Sequence, residues 1–224
     1  MTCVTLLVTL LGLGGGGVYS AKEKTSSMKQ TAWDLNTVGN LGGYPTQVLG
    51  APRLMESPQG KVMEFDGQHD GIIVDANPLA GVERFTLEVI FRPASGGSKE
   101  QRFVHLQEAG DENRILIETR LTGNNRWFLD TFIRSGETDQ TLYAEKFLHP
   151  VGEWFQAALV FDGREMRHYV NGVQEMSALI QYHAMKPGQT SLGVRLNRVF
   201  WFKGAIRKVR FTHDALAPAD FLKP

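Results

Sequence analysis

Three acidic residues on separate predicted strands are the carboxylates best placed for chemistry. Glu88, Glu118 and Asp130 each alternate with apolar neighbours, so each side chain is expected to point away from the core. Glycoside hydrolysis needs two carboxylates about 5–10 Å apart across the sugar. Glu88 and Glu118 are the expected catalytic pair if the chain is an enzyme, although no E-x-D-x-E run places three carboxylates at alternate positions of one strand.

Basic side chains fall on the polar side of the same predicted strands. They are Arg92, His105, Arg114, Arg120 and Arg134. If these strands are neighbours in one sheet, the basic and acidic side chains line a single charged groove. The excess of cations favours ion pairs and binding of sugar hydroxyls over a tuned general acid. The alternative is a solvent-exposed sheet face whose charges only pair with one another.

Aromatic side chains are the second indication of a sugar ligand, because sugar rings stack on Trp and Tyr. Trp127, Trp201, Tyr143 and Tyr182 are candidates, with burial in the core as the alternative for each. Trp154 is expected in the core. The predicted ligand-binding residues are therefore Trp127, Trp201, Arg92, His105, Glu118, Arg120 and Asp130.

Metal and cofactor motifs are sparse. The six His are scattered with no H-x-H or H-E-x-x-H spacing, and no phosphate-binding G-x-x-x-x-G-K-[ST] occurs. Asp66, Asp70 and Asp75 lie close in sequence and could supply oxygen ligands to calcium. Turn formation is the alternative role for them. Calcium is thus the only cofactor that the sequence suggests.

Charge and the first residues bear on location. Lys+Arg and Asp+Glu number 24 each, so overall charge gives no reason to expect nucleic acid or an anionic membrane as partner. Residues 1–20 carry no charge and contain a short apolar run, which predicts a signal peptide rather than a membrane span. We expect a secreted chain, extracellular or periplasmic. The only cysteine, Cys3, would leave with the signal peptide.

The sequence predicts that these residues lie on β-strands. Asp162-Gly163 and Asn171-Gly172 are hairpin turn signals, and they predict three consecutive antiparallel strands across residues 154–173 and beyond. Further strands are predicted over 60–66, 72–74, 85–92, 103–107, 115–120, 126–134, 141–145, 189–194 and 204–211. This spacing is typical of an all-β sandwich. We expect a flexible leader over 21–30 and one domain over 31–224.

Several short segments carry a family resemblance. They are Met63–Gly67, Arg84–Glu88, Phe91–Pro93, Glu153–Phe155, Ala158–Gly163, His168–Gly172, Lys203–Phe211 and Asp214–Ala217. In this order the chain resembles the laminin-G-like, concanavalin A-like jelly-roll domains of bacterial secreted proteins. The resemblance implies two stacked antiparallel sheets. It also implies glycan or protein ligands, calcium in some members, and hydrolases or polysaccharide lyases among the relatives.

We therefore expect a secreted, non-catalytic carbohydrate-binding or adhesion domain that recognises glycans on a concave sheet face. A glycoside hydrolase or polysaccharide lyase of the same fold is the first alternative, and a protein-interaction module is the second. The expected partner is a poly- or oligosaccharide or a cell-surface protein. Nucleic acid is not expected, nor a membrane span in the mature chain.

Overall fold

A computed structural model describes residues 28–224. The predicted signal peptide and most of the predicted leader lie outside the described residues. Within them the strands are β1 (Gln30–Asp34), β2 (Asn40–Leu41), β3 (Tyr44–Leu49), β4 (Arg53–Ser57), β5 (Gly60–Asp66), β6 (Gly71–Val74), β7 (Phe85–Pro93), β8 (Glu100–Glu108), β9 (Arg114–Leu121), β10 (Arg126–Ser135), β11 (Thr138–Tyr143), β12 (His149–Pro150), β13 (Phe155–Phe161), β14 (Glu165–Val170), β15 (Val173–Leu179), β16 (Gly188–Leu192) and β17 (Lys203–Thr212). Residues 28–224 form no helix with the length and apolar character needed to cross a membrane.

The strands form two antiparallel sheets, which confirms the predicted jelly-roll sandwich. Sheet I has the order β15-β14-β13-β7-β17-β5-β4, and β1 pairs with β17. Sheet II has the order β11-β10-β9-β8-β16-β6-β3-β2, and β12 pairs with β10. Neighbours in each sheet are often distant in sequence, so strand order follows from long-range pairing rather than from hairpins alone.

The core lies between the sheets and is rich in aromatic side chains. Alternate residues of β7, from Phe85 to Phe91, face it. The Phe91 ring of sheet I lies 4.7 Å from the Phe103 ring of sheet II, and Phe103 stacks on Phe202 at 4.7 Å. Burying each such side chain stabilises the fold by about 1.5–3 kcal/mol. These contacts hold the two sheets face to face.

The predicted three-stranded meander is β13-β14-β15, and this prediction is confirmed. Asn171 and Gly172 have φ angles of 49° and 80°, as a type I′ turn requires. Trp154, however, is not a core residue. It is only partly buried just before β13, with the Arg92 guanidinium 5.4 Å and that of Arg207 6.0 Å from its ring. The first core aromatic after it is Phe155.

The segment after β17 covers the outer face of sheet I. It contains one 3-10 turn, Pro218–Asp220. Leu216 and Phe221 of this segment pack on outward-facing side chains of β13 and β14, namely Ala158, Val160 and Tyr169. The C-terminal segment therefore covers the part of the outer face of sheet I that β13 and β14 form.

Candidate functional site

The outer face of sheet II carries most of the charged side chains that the sequence places on polar strand positions. In β9, Ile115 and Ile117 face the core, so Glu118 and Arg120 face outward. In β10, Asp130 is the register partner of Glu118. The expectation that Glu118, Arg120 and Asp130 lie on neighbouring strands agrees with this pairing.

Two arginines hold three carboxylates on this face, and we call these five residues the ion cluster. Arg102 Nε donates to Glu118 Oε2 at 2.8 Å, and Arg120 Nε donates to Asp130 Oδ2 at 2.8 Å. Arg120 also reaches Glu118 Oε2 at 3.4 Å, and Glu100 pairs with both arginines. Each carboxylate is thus bound by at least one guanidinium, as charge-assisted pairs require when water is excluded.

Burial changes the proton affinity of the two central carboxyls. The side chains of Glu118 and Asp130 are 3% and 1% exposed. Burial, with the nearby charge of Asp130, raises the pKa of Glu118 to about 7, although Arg102 and Arg120 act to lower it. Burial also raises the pKa of Asp130, again against the effect of Arg120. At neutral pH, Glu118 can therefore both accept and donate hydrogen bonds.

A small pocket of about 170 Å³ opens over the ion cluster. Its other walls are Arg114, Leu116, Phe132 and Thr141. The Arg114 guanidinium lies 4.8 Å from the centre of the Phe132 ring, so an aromatic ring and a cation meet at this end of the pocket. The pocket offers hydrogen-bonding groups around a partly apolar floor.

A cleft of about 750 Å³ adjoins the ion cluster at the other end of the same face. Tyr143 of β11 lines it, together with Lys99, Leu121, Asn125, Phe128 and Leu148. Tyr143 is the register partner of Asp130, the residue is 39% exposed, and its ring meets Phe128 edge to face at 4.7 Å. Arg120 lies 5.6 Å from the Tyr143 ring. The cleft and the pocket therefore share one continuous surface across β9, β10 and β11.

Two predicted ligand-binding aromatics do not lie on this surface. Trp127 is wrong as a ligand contact, because its ring is fully buried between Phe91 and Phe155 and its Nε1 donates to the carbonyl of Pro150 at 3.1 Å. Trp201 is half-buried in the loop before β17 and lines neither the cleft nor the pocket. The aromatic of that loop which meets the ion cluster is Phe200, 4.2 Å from the Arg102 guanidinium.

His105 faces the correct side of sheet II but is fully buried. The backbone N–H of Leu196 donates to its Nδ1 at 3.0 Å, so the loop after β16 covers it. Burial and the charges of Arg195, Arg114 and Arg102 lower the pKa of His105 to about 3. His105 is therefore a neutral residue beneath the surface rather than a direct ligand contact.

The predicted catalytic pair is wrong, because Glu88 and Glu118 belong to different sheets. Glu88 is on the outer face of sheet I, where it bonds Arg210, Gln156 and the Leu222 N–H. Packed sheets lie about 10 Å apart, so carboxyls on opposite outer faces are much farther apart than hydrolysis allows. Arg92 also belongs to β7 of sheet I and is not part of the groove.

The three aspartates proposed for calcium do not form a common site. Asp66 accepts hydrogen bonds from backbone N–H groups of the turn after β5. Asp70 accepts from the N–H groups of Asp66 and Ala51. Asp75 bonds Gln189 instead, at 3.4 Å. In the part of the chain that the structure describes, no three His, Cys, Asp or Glu side chains are grouped to hold a metal ion.

Sequence reasoning missed two members of the ion cluster, Glu100 and Arg102. Both lie in β8 two residues apart, but a bulge between Arg102 and Val104 shifts the register against β9 and obscures the alternation with His105. The alternation of side chains along a strand would have excluded Trp127 from the ligand-binding face. Trp127 is three residues from Asp130, so the two side chains must point to opposite faces of β10.

Comparison with known proteins places this sandwich in a family. Residues 66–220 match the family described as the concanavalin A-like lectin/glucanases superfamily. The chain therefore belongs to that superfamily, which agrees with the resemblance carried by its short segments. No curated protein sequence matches the chain.

Solved structures share the fold at low sequence identity. Domain 4 of AbnA, a GH43 extracellular arabinanase from Geobacillus stearothermophilus solved in complex with arabinotriose, is 20% identical with a TM-score of 0.66, over 86% of this chain and 96% of that domain. The binding domain of Paraclostridial Mosquitocidal Protein 1 is 13% identical with a TM-score of 0.65, over 85% of this chain. The botulinum neurotoxin serotype D binding domain is 14% identical with a TM-score of 0.61, also over 85%. This chain spans about half the length of the two toxin domains.

Proposed function

We propose that this chain is a carbohydrate-binding domain that takes a poly- or oligosaccharide along the outer face of sheet II. The observation that carries the proposal is the half-exposed Tyr143 ring at the mouth of the cleft, directly beside the ion cluster. A rigid aromatic next to fixed donors and acceptors matches the two needs of a sugar, a stacking surface and partners for hydroxyls.

The arrangement also favours binding over catalysis. Glu118 and Asp130 are already engaged by Arg102 and Arg120, so neither is free to act as an unpartnered nucleophile. Further support comes from the fold neighbour solved with arabinotriose. Its ligand is a property of that protein, and for this chain it motivates only the class of ligand to be tested.

The test is binding of the full chain to a panel of polysaccharides, measured by calorimetry. Tyr143→Ala should weaken the affinity for a bound polysaccharide by about tenfold or more, because a stacking surface is removed. Tyr44→Ala is the matched control, since Tyr44 is 43% exposed on β3, six strand positions away in the same sheet. Unchanged affinity in a folded Tyr143→Ala variant, or no ligand in the panel, contradicts the proposal.

A second candidate, glycoside hydrolysis, is favoured by one observation: Glu118 and Asp130 are cross-strand partners, and the pKa of Glu118 is raised to about 7. Directly opposed side chains have Cβ atoms about 4.5–5.5 Å apart, which is compatible with a retaining pair of carboxyls. Release of reducing ends from the same panel, abolished in Glu118→Gln, would establish this activity. Binding without product release rejects it.

A further inference from the structure

Charge is unevenly distributed along the outer face of sheet II, although the chain as a whole is neutral. The ion cluster combines two arginines with three carboxylates. Beyond it, toward the far end of β9 and β10, lie three more arginines: Arg114, Arg134 and Arg195. Within residues 28–224 the only ion pair of these three joins Arg114 to Glu112 at 3.0 Å, and the Glu112 side chain is 67% exposed. We call these three residues the arginine end.

The register brings these cations together. Arg114 and Arg134 are direct cross-strand partners on the outer face, a placement that is unfavourable for like charges. The exposed Asp139 of β11 is the register partner of Arg134 on its other side, but it forms no ion pair with Arg134 within residues 28–224. Arg195 precedes Leu196, whose N–H is bonded to His105, and His105 is the register partner of Leu116. Burial and the positive charge of Arg195 lower the pKa of Arg114, as expected for guanidinium groups in close proximity.

Hydrogen-bond donors at this end lack acceptors. The Nε atoms of Arg114 and Arg195 are buried and have no partner among the described residues. His105 Nε2 is a third such atom. Because His105 Nδ1 accepts a bond from Leu196, the proton of the neutral ring belongs on Nε2. Leaving a buried donor unpaired is unfavourable, so these three N–H groups are short of acceptor atoms.

We propose that the arginine end is a subsite for the anionic group of an acidic sugar, and that the polysaccharide bound by this domain carries carboxylate or sulfate groups. This rests on the proposed function, because the subsite continues the same face. From Phe128 beside Tyr143 to Arg134, β10 spans roughly 20 Å. One chain could thus stack on Tyr143, cross the ion cluster through its hydroxyls, and place an anionic group between the arginines. Guanidinium groups suit this role because their N–H fork matches a planar oxyanion.

The test compares polymers that differ only in charge. Binding of the full chain is measured to polygalacturonate and to the same polymer after carboxyl reduction, and to dextran sulfate beside dextran. We expect tighter binding to one of the charged members, decreasing as sodium chloride is raised. Arg134→Gln and Arg195→Gln should each weaken that binding about tenfold and leave any binding to the neutral counterpart unchanged. Arg195→Lys should retain only part of the affinity, since it keeps the charge but loses the fork.

Arg164→Gln is the matched control, because it removes the same charge from an exposed turn of sheet I. Thermal unfolding confirms that each variant is folded.

The preferred charged polymer identifies the anionic group, carboxylate for polygalacturonate and sulfate for dextran sulfate. Equal binding to charged and neutral polymers that still depends on Tyr143 overturns the subsite and leaves the proposed function intact. A charge preference reduced equally by Arg164→Gln also overturns it, as non-specific attraction. Binding to no polysaccharide at all overturns both proposals.

Discussion

The outer faces of the two sheets carry glutamates that look alike in sequence and differ in what covers them. Glu88 on sheet I is fully buried and bonds Arg210 at 2.5 Å, Gln156 at 3.1 Å and the Leu222 N–H at 2.8 Å. These three partners surround the Glu88 carboxylate, and one of them, Leu222, comes from the C-terminal segment that covers it. Glu118 on sheet II is nearly as buried, but its arginine partners line an open pocket.

This difference separates a structural carboxylate from a candidate functional one. Both residues have a raised pKa, and burial is the first cause for each. Burial alone therefore does not identify a site. What differs is that the C-terminal segment closes over Glu88 and supplies its last hydrogen bond, whereas nothing in residues 28–224 closes the pocket over Glu118.

Removing Glu88 should have the largest effect on stability. Glu88→Ala leaves Arg210 without its buried partner and releases Leu222, so the free energy of unfolding should fall by about 3–5 kcal/mol. Urea unfolding measures it. Glu56→Ala, an exposed residue of β4 in the same sheet, should change it by no more than about 0.5 kcal/mol. Polysaccharide binding by the folded fraction should stay unchanged. A loss below about 1 kcal/mol would show that the C-terminal segment is not held by Glu88.

Glu118 should instead give a pH-dependent contribution. Its pKa in the folded state, about 7, is above the ordinary 4.5 of the unfolded chain, so the folded protein binds the proton more tightly. Its stabilising contribution is complete below pH 4.5 and is lost as the pH rises through 7, by about 3 kcal/mol.

The measurement is the difference in unfolding free energy between wild type and Glu118→Gln from pH 4 to pH 8. His105 and His168 have pKa values lowered to about 3 and contribute with the opposite sign, but they are common to both proteins and cancel. If this difference in unfolding free energy does not vary with pH, Glu118 is ionised throughout the range. Its arginine partners would then outweigh the effect of burial on its pKa.

Much of the fold could be predicted from turn chemistry and alternation. Asn171-Gly172 has the positive φ angles that its residue types favour, and every second residue from Phe85 to Phe91 faces the core as expected. The strands β3 and β4 were missed. Both strands are mostly exposed, and β4 is an edge strand of sheet I. Because neither strand has a buried face, their sequences do not alternate between apolar and polar residues.

The site could be predicted only in part, because alternation gives the face of a strand and not the sheet to which it belongs. Glu118, Arg120 and Asp130 lie on strands adjacent in both sequence and space, so local reasoning grouped them correctly. Glu88 and Arg92 lie on β7, which pairs with β13 and β17. Those partners are about 60 to 120 residues later in the chain, and nothing in the local pattern of β7 indicates them.

The turn after β5 should respond least to added ligands, although it carries two aspartates. This turn joins sheet I to sheet II. Although burial acts to raise it, the backbone N–H groups of His69, Gln68 and Asp70 lower the pKa of Asp66 to about 2. The Asp66 carboxylate therefore stabilises the turn by accepting its hydrogen bonds, as Glu88 stabilises the C-terminal segment.

Calcium or a chelator should shift the melting temperature by less than about 1 °C, because calcium is not expected to bind the folded state more tightly than the unfolded state. Asp66→Ala, by contrast, should lower stability by about 1–2 kcal/mol through lost turn hydrogen bonds. The opposite result is a melting temperature that calcium raises by several degrees in the wild type but not in Asp66→Ala. It would show that the Asp66 carboxylate is available to a ligand, as we propose for Glu118.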